Sequence, residues 1–131
     1  MRRLALAIAI SVSTVPAAAQ GPRHRIDLGC QPTGQALTYL CTVSIADAAG
    51  KPIDGAAPIL SADMPSMPMA HSVKPVTAQA VTGKPGVYQG QMALEMLGEW
   101  AVKVQVKAPR PDVVVRKLDF QTDKVTPVAP R

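Results

Sequence analysis

Residues 63–71 read Asp-Met-Pro-Ser-Met-Pro-Met-Ala-His, which places Met64, Met67, Met69 and His71 in one short segment. Apart from Met1 the chain holds five methionines, and three of them are here. Pro65 and Pro68 each remove a backbone donor and hold the segment extended, which keeps it out of a central strand. In an extended chain, residues two apart project to the same side. Met67, Met69 and His71 would then line one face at spacings of about 6.6 Å, a gap that flexible thioethers can close onto a common centre. Thioethers are soft and carry no proton to lose, so they select Cu(I) over zinc or calcium, and imidazole suits either copper oxidation state. Met64, Met67, Met69 and His71 are therefore candidate copper ligands. Two other uses stay open: gap-filling in the core, and an exposed apolar patch that meets a protein partner. Ligand softness favours the metal.

Other residues with chemical potential are more ordinary. Met92 and Met96 alternate with polar neighbours and are expected on the apolar face of a strand. Met96, close to Gly98 and Trp100, is the better placed of the two to reach the site from a strand end. Trp100, the only tryptophan, is expected to anchor the core, although an indole face can also cover a cation. His24 is either a loose extra ligand or a solvated terminal side chain. Cys30 and Cys41 could be metal thiolates, but in an oxidising compartment a disulfide is favoured. In the chain-entropy model that closure would be worth about 3 kcal/mol. Enzymatic chemistry finds no support: there is no nucleophile elbow, no phosphate-cradling loop and no His-rich triad. The carboxylates are isolated, so no general acid/base pair can be named. Binding without catalysis is the expectation.

The elements that must hold these residues read as strands. Thirteen prolines and nine glycines punctuate short apolar segments, the rhythm of an all-β domain. Ile26, Leu28 and Cys30 suggest a first strand. From Leu37 to Ile45 the odd positions are apolar and the even ones largely polar, a half-buried strand. Residues 47–52 form a turn, 56–62 a weaker strand and 73–81 another. A turn at residues 83–86 leads into a strand over 87–96, with Leu97-Gly98-Glu99 as the hairpin loop. Trp100, Val102, Val104 and Val106 then form the inward face of the next strand. After a turn at 109–112, Val113 to Phe120 is the last strand, and residues 122–131 are expected to be a disordered tail. No helical period is present after the first twenty residues. About seven strands in about 100 residues predict an immunoglobulin-like antiparallel β-sandwich, with a small closed barrel as the alternative.

The N-terminus carries an export pattern. Arg2 and Arg3 precede a short apolar run from Leu4 to Val15, followed by Pro16 and Ala17-Ala18-Ala19, the layout of a signal peptide cleaved before Gln20. An uncleaved anchor is the alternative, but twelve helical residues span only about 18 Å against a hydrocarbon core of about 30 Å. Residues 1–19 are thus expected to be a signal peptide and 20–121 one domain, with no retained membrane span, in a periplasmic or secreted protein. Removing Arg2 and Arg3 from fourteen basic residues leaves twelve against nine acids, a net charge of +3. The basic residues are scattered, and there are only one tryptophan, two tyrosines and one phenylalanine. Nucleic-acid binding, which needs a concentrated basic face and stacking aromatics, is disfavoured.

Three segments in order resemble a known family: Met64-Pro65-Ser66-Met67-Pro68-Met69-Ala70-His71, then Gly86-Val87-Tyr88-Gln89-Gly90, then Met96-Leu97-Gly98-Glu99-Trp100 followed by alternating valines. Over roughly Arg25 to Phe120 the chain is similar to the YtkA-like domain, related to the periplasmic part of FixH. The resemblance implies an immunoglobulin-like sandwich in an exported or membrane-tethered protein. It also implies copper handling or the assembly of copper-containing respiratory enzymes, with Met64, Met67, Met69 and His71 as ligands. Tyr88, Gly98 and Trp100 would be the fold signature. A copper-receiving or copper-exporting membrane protein is the implied partner. The chain departs from the FixH pattern in lacking a retained transmembrane helix, which counts against a role inside an oxidase-assembly complex.

Overall fold

Period-two alternation becomes strands wherever a turn-forming segment lets the chain reverse. In the computed structural model, residues 23–67 and 72–129 are described. The expected signal peptide, Met69 and His71 lie outside the described residues. Nine strands follow in order: β1 Arg25–Pro32, β2 Thr38–Ala46, β3 Ile59–Asp63, β4 Ser72–Thr77, β5 Gln79–Ala80, β6 Val87–Ala93, β7 Gly98–Val106, β8 Asp112–Phe120 and β9 Val125–Pro127. They form two open antiparallel sheets, β1-β2-β6-β5 and β4-β3-β7-β8-β9. That is the expected sandwich, with no helix among the described residues.

The core lies between the sheets and comes from alternate positions of the paired strands. Tyr39, Cys41, Val43 and Ile45 of β2 and Tyr88 and Met92 of β6 meet Leu60, Ala62, Trp100, Val102, Val104, Leu118 and Phe120 from the other sheet. Tyr39 and Phe120 stack edge to face with ring centroids 4.9 Å apart. The Tyr39 hydroxyl donates to the Gln121 carbonyl at 2.7 Å, and burial pushes its pKa above the usual phenol value. Cys30 and Cys41 face each other across β1 and β2 and are joined as a disulfide, S–S 2.03 Å.

The motif around Tyr88 locks one end of the sandwich. Gly86 adopts φ +72°, and a Cβ there would come within 2.6 Å of the Ile45 carbonyl oxygen and 2.9 Å of the Pro52 Cβ. Only glycine fits. Its N–H donates to Asp54 Oδ1 at 2.8 Å, while the Tyr88 hydroxyl donates to the Ile53 carbonyl at 2.6 Å and accepts the Ala56 N–H at 3.0 Å.

The strand pattern differs from expectation in three places. The stretch 73–81 is not one strand. Ala78 is buried, its N–H bonds the Pro58 carbonyl at 2.9 Å, and the chain passes there from β4 in one sheet to β5 in the other. Gly90 of β6 admits that crossing, because a Cβ there would already touch Leu60 Cδ1 and Val76 Cγ1 at 3.4 Å. The strand expected over 87–96 ends at Ala93, and β7 begins at Gly98, inside the expected loop. The expected tail is not irregular throughout: Val125–Pro127 pairs with Leu118–Phe120 as β9. Bonds from Gln121 N to Lys124 O and from Val128 N to Lys117 O, together with Val125 packing on the core, outweigh the low apolar content.

Candidate metal centre

The sequence candidates divide by the end of the sandwich they occupy. The antiparallel pairings bring the end of β3, the ends of β1, β6 and β8, and the starts of β2, β4 and β7 to one end. Residues 33–37, 64–71, 94–97 and 121–124 connect strands there.

Met64 continues the inward alternation of Leu60 and Ala62 one step beyond β3 and is only 4% exposed. Its methyl group lies 3.5 Å from where a Cβ on Gly98 would sit, and Gly98 has φ +125°. The expectation that Met64 stands free on the proline-rich connection is corrected: it is a core residue that closes the end of the sandwich over Gly98. Pro65 starts the turn only after Met64 has been placed, so the strand register decides its direction.

Met67 behaves otherwise. Its N–H bonds the Met64 carbonyl at 3.0 Å across a tight turn, and its side chain is 38% exposed. In the sequence, Met69 and His71 come between Met67 and Ser72, which pairs with Asp63 at the head of β4; both lie outside the described residues.

The methionines of the hairpin strand separate in the same way. Met92 is fully buried, with its sulfur 3.7 Å from Cys41 Sγ; that sulfur is in the disulfide and has no proton, so this is a packing contact. Met96 was expected on the same apolar face, but it lies past the end of β6 and is 38% exposed. The cause is the tryptophan. Trp100 is fully buried and its indole N–H needs an acceptor, which the Met96 carbonyl supplies at 3.1 Å. With its carbonyl turned in, Met96 extends its thioether into solvent. This promotion of Met96 was hidden in the sequence because strand alternation carries through Met96 if the strand is assumed to continue.

His24 is at the opposite end, just before β1. Its Nδ1 is 3.6 Å from Asp112 Oδ2 at the start of β8, and the nitrogen is buried with no hydrogen-bond partner. It is therefore removed from the methionines. Both cysteines are consumed by the disulfide and offer no thiolate. Among the described residues no group of three His, Cys, Asp or Glu side chains is placed to hold a metal. A hard, oxygen-rich or His-rich cation site is thus not formed by them. This end exposes thioether and aliphatic side chains, Met67, Met96 and Leu97, the last also 38% exposed, next to exposed Glu95 and Glu99. Beside it is an open cleft of about 190 Å³, lined in part by Pro32, Gln35, Leu37, Tyr39, Leu97 and Thr122. Sequence reading missed Leu97, having assigned it only to a turn.

Among the described residues no helix is long and apolar enough to cross a membrane. No curated protein and no solved structure matches the chain. The family model described as YtkA-like matches residues 30–105, from the cysteine of β1 to near the end of β7. That span takes in the disulfide, the Gly86–Tyr88 lock, the methionine connection and the Trp100 anchor. With more than half of its 131 residues matched, the chain belongs to the YtkA-like family.

Proposed function

We propose that the protein is an exported, non-catalytic copper-binding domain that carries or sequesters Cu(I) at the methionine end of its sandwich. The observation that supports this most is the shared exposure of two thioethers, Met67 and Met96, on connections at the same end. Exposed methionine side chains gain nothing from core packing, and soft sulfur is the donor that suits a cuprous ion. Met69 and His71 follow Met67 in sequence and complete the proposed ligand set. Met64 acts beneath it as packing. The sandwich supplies a rigid base, and the disulfide keeps the cysteines from competing for the metal.

The test is competition with a Cu(I) chelator. Wild-type protein should retain copper, and the Met69→Ala, His71→Ala double variant should weaken retention by about tenfold or more, on the scale of 1.4 kcal/mol per tenfold. The thermal midpoint without metal should barely move if these side chains serve the metal and not the core. Equal retention by wild type and variant contradicts the proposal.

A second function is supported by Leu97. Leucine cannot ligate copper, yet Leu97 is exposed, follows Met96 in sequence and lines the cleft. An apolar surface of this kind suits docking of a protein partner without metal. If copper does not bind, this interaction module takes precedence.

A further inference from the structure

The sheet edge along β8 carries features that copper binding does not use. β8 pairs along its whole length with β7, from Val106↔Asp112 to Gly98↔Phe120. On its other side, β9 covers only Leu118–Phe120. Among the described residues no strand pairs with Val113–Arg116 on that side, and His24 packs at its start, with Nδ1 3.6 Å from Asp112 Oδ2. The outward side chains of this segment, Val113 and Val115, are each 52% exposed. They are larger exposures than those of Met67, Met96 or Leu97. The other edge of the same sheet differs: β4 carries Lys74 and Pro75, which blunt an edge against pairing.

The backbone of this segment faces outward at the odd positions. The Val128 N–H reaches the Lys117 carbonyl from the β9 side, and a residue's N–H and C=O point to the same side of a strand. Val113 and Val115 thus direct their peptide groups to this unpaired side. Two of those groups are capped by charged neighbours in sequence. Asp112 Oδ1 accepts the Val113 N–H at 2.8 Å, and Arg116 Nη1 donates to the Val115 carbonyl at 3.3 Å.

We propose that this half-strand docks a second copy of the chain, the two β8 segments pairing antiparallel about Val114. In that register Val113 of each copy lies opposite Val115 of the other, and Asp112 lies opposite Arg116. Directly opposed residues share a face in an antiparallel pair. Four valines then cover one another on the outward face, and each carboxylate meets a guanidinium. The intrachain caps are exchanged: Val113 N–H gains the Val115 carbonyl of the second copy, while Asp112 and Arg116 leave those peptide groups for each other. The interface is short and isologous, so association is reversible and dependent on concentration. It lies on sheet β4-β3-β7-β8-β9, apart from the methionine end, and requires no copper.

Sedimentation velocity on the purified metal-free protein tests this. Wild type should shift from monomer to dimer as concentration rises towards about 100 μM, a range suited to a weak interface. Arg116→Asp and Asp112→Arg, each alone, should weaken dimerisation by about tenfold or more through like-charge opposition. The double variant carrying both reversals should recover most of it, since opposite charges again face each other. Far-ultraviolet circular dichroism should show all three variants folded, as neither side chain belongs to the hydrophobic core, although Asp112→Arg also gives up the contact with His24. A wild type that stays monomeric overturns the proposal and leaves the edge to a different protein strand. Dimerisation unaffected by the single reversals, or not recovered in the double variant, overturns the register and with it the proposal.

Discussion

At the scale of single residues, four methionines with similar sequence surroundings have two fates. Met64 and Met92 are buried; Met67 and Met96 are exposed. Truncation should therefore separate them. Met64→Ala and Met92→Ala are expected to cost about 2–4 kcal/mol each, the usual range for emptying a core site of that size. Met67→Ala and Met96→Ala should change stability by less than about 0.5 kcal/mol; urea denaturation of the metal-free protein measures all four. The sequence made Met92 legible because it sits within an unbroken alternation. Met64 and Met96 were misplaced for one physical reason: each lies one to three residues beyond a strand end. There, tertiary contacts decide direction, with Gly98 accommodating the Met64 methyl and the buried indole drawing in the Met96 carbonyl. The pairing of Cys30 with Cys41 was expected from the export pattern, and the cross-strand register places the two residues opposite each other.

At the scale of elements, glycines decide where strands can approach. Gly86 and Gly90 flank Tyr88 in one motif but act differently. Gly86→Ala should cost at least about 2 kcal/mol, since it combines positive φ with a backbone clash at 2.6 Å. Gly90→Ala should be close to neutral, while Gly90→Val should cost about 1–3 kcal/mol by overpacking the crossing of Ala78. Thermal unfolding of the three variants checks the order. The main strands were legible, since period-two burial survives in β2, β6 and β7. The passage from β4 to β5 was not, because residues 73–81 look continuous and only the opposite strand's glycine reveals the change of sheet. β9 was obscured by its length of three residues and its proline.

At the scale of the whole molecule, the two ends of the sandwich have different work. One end is tied by Gly86, Asp54, Tyr88 and Ile53; the other presents Met67, Met96 and Leu97. The disulfide, two residue pairs from the Pro32–Tyr39 end of the β1–β2 ladder, serves the frame. Replacing both cysteines by alanine should lower stability by about 2–4 kcal/mol while leaving Cu(I) retention unchanged, as neither sulfur is a free donor; paired unfolding and chelator titrations separate the two effects. An apparent gain or loss of copper in that variant would assign the cysteines a part they do not have here. The central claim is that thioether sulfur at the open end holds a cuprous ion, and X-ray absorption at the copper edge of the loaded protein tests it most directly. A sulfur-dominated coordination shell with an imidazole contribution, losing sulfur when Met67 and Met96 are both changed to leucine, is the predicted result. A shell of nitrogen and oxygen alone, or copper lost on desalting, would contradict it.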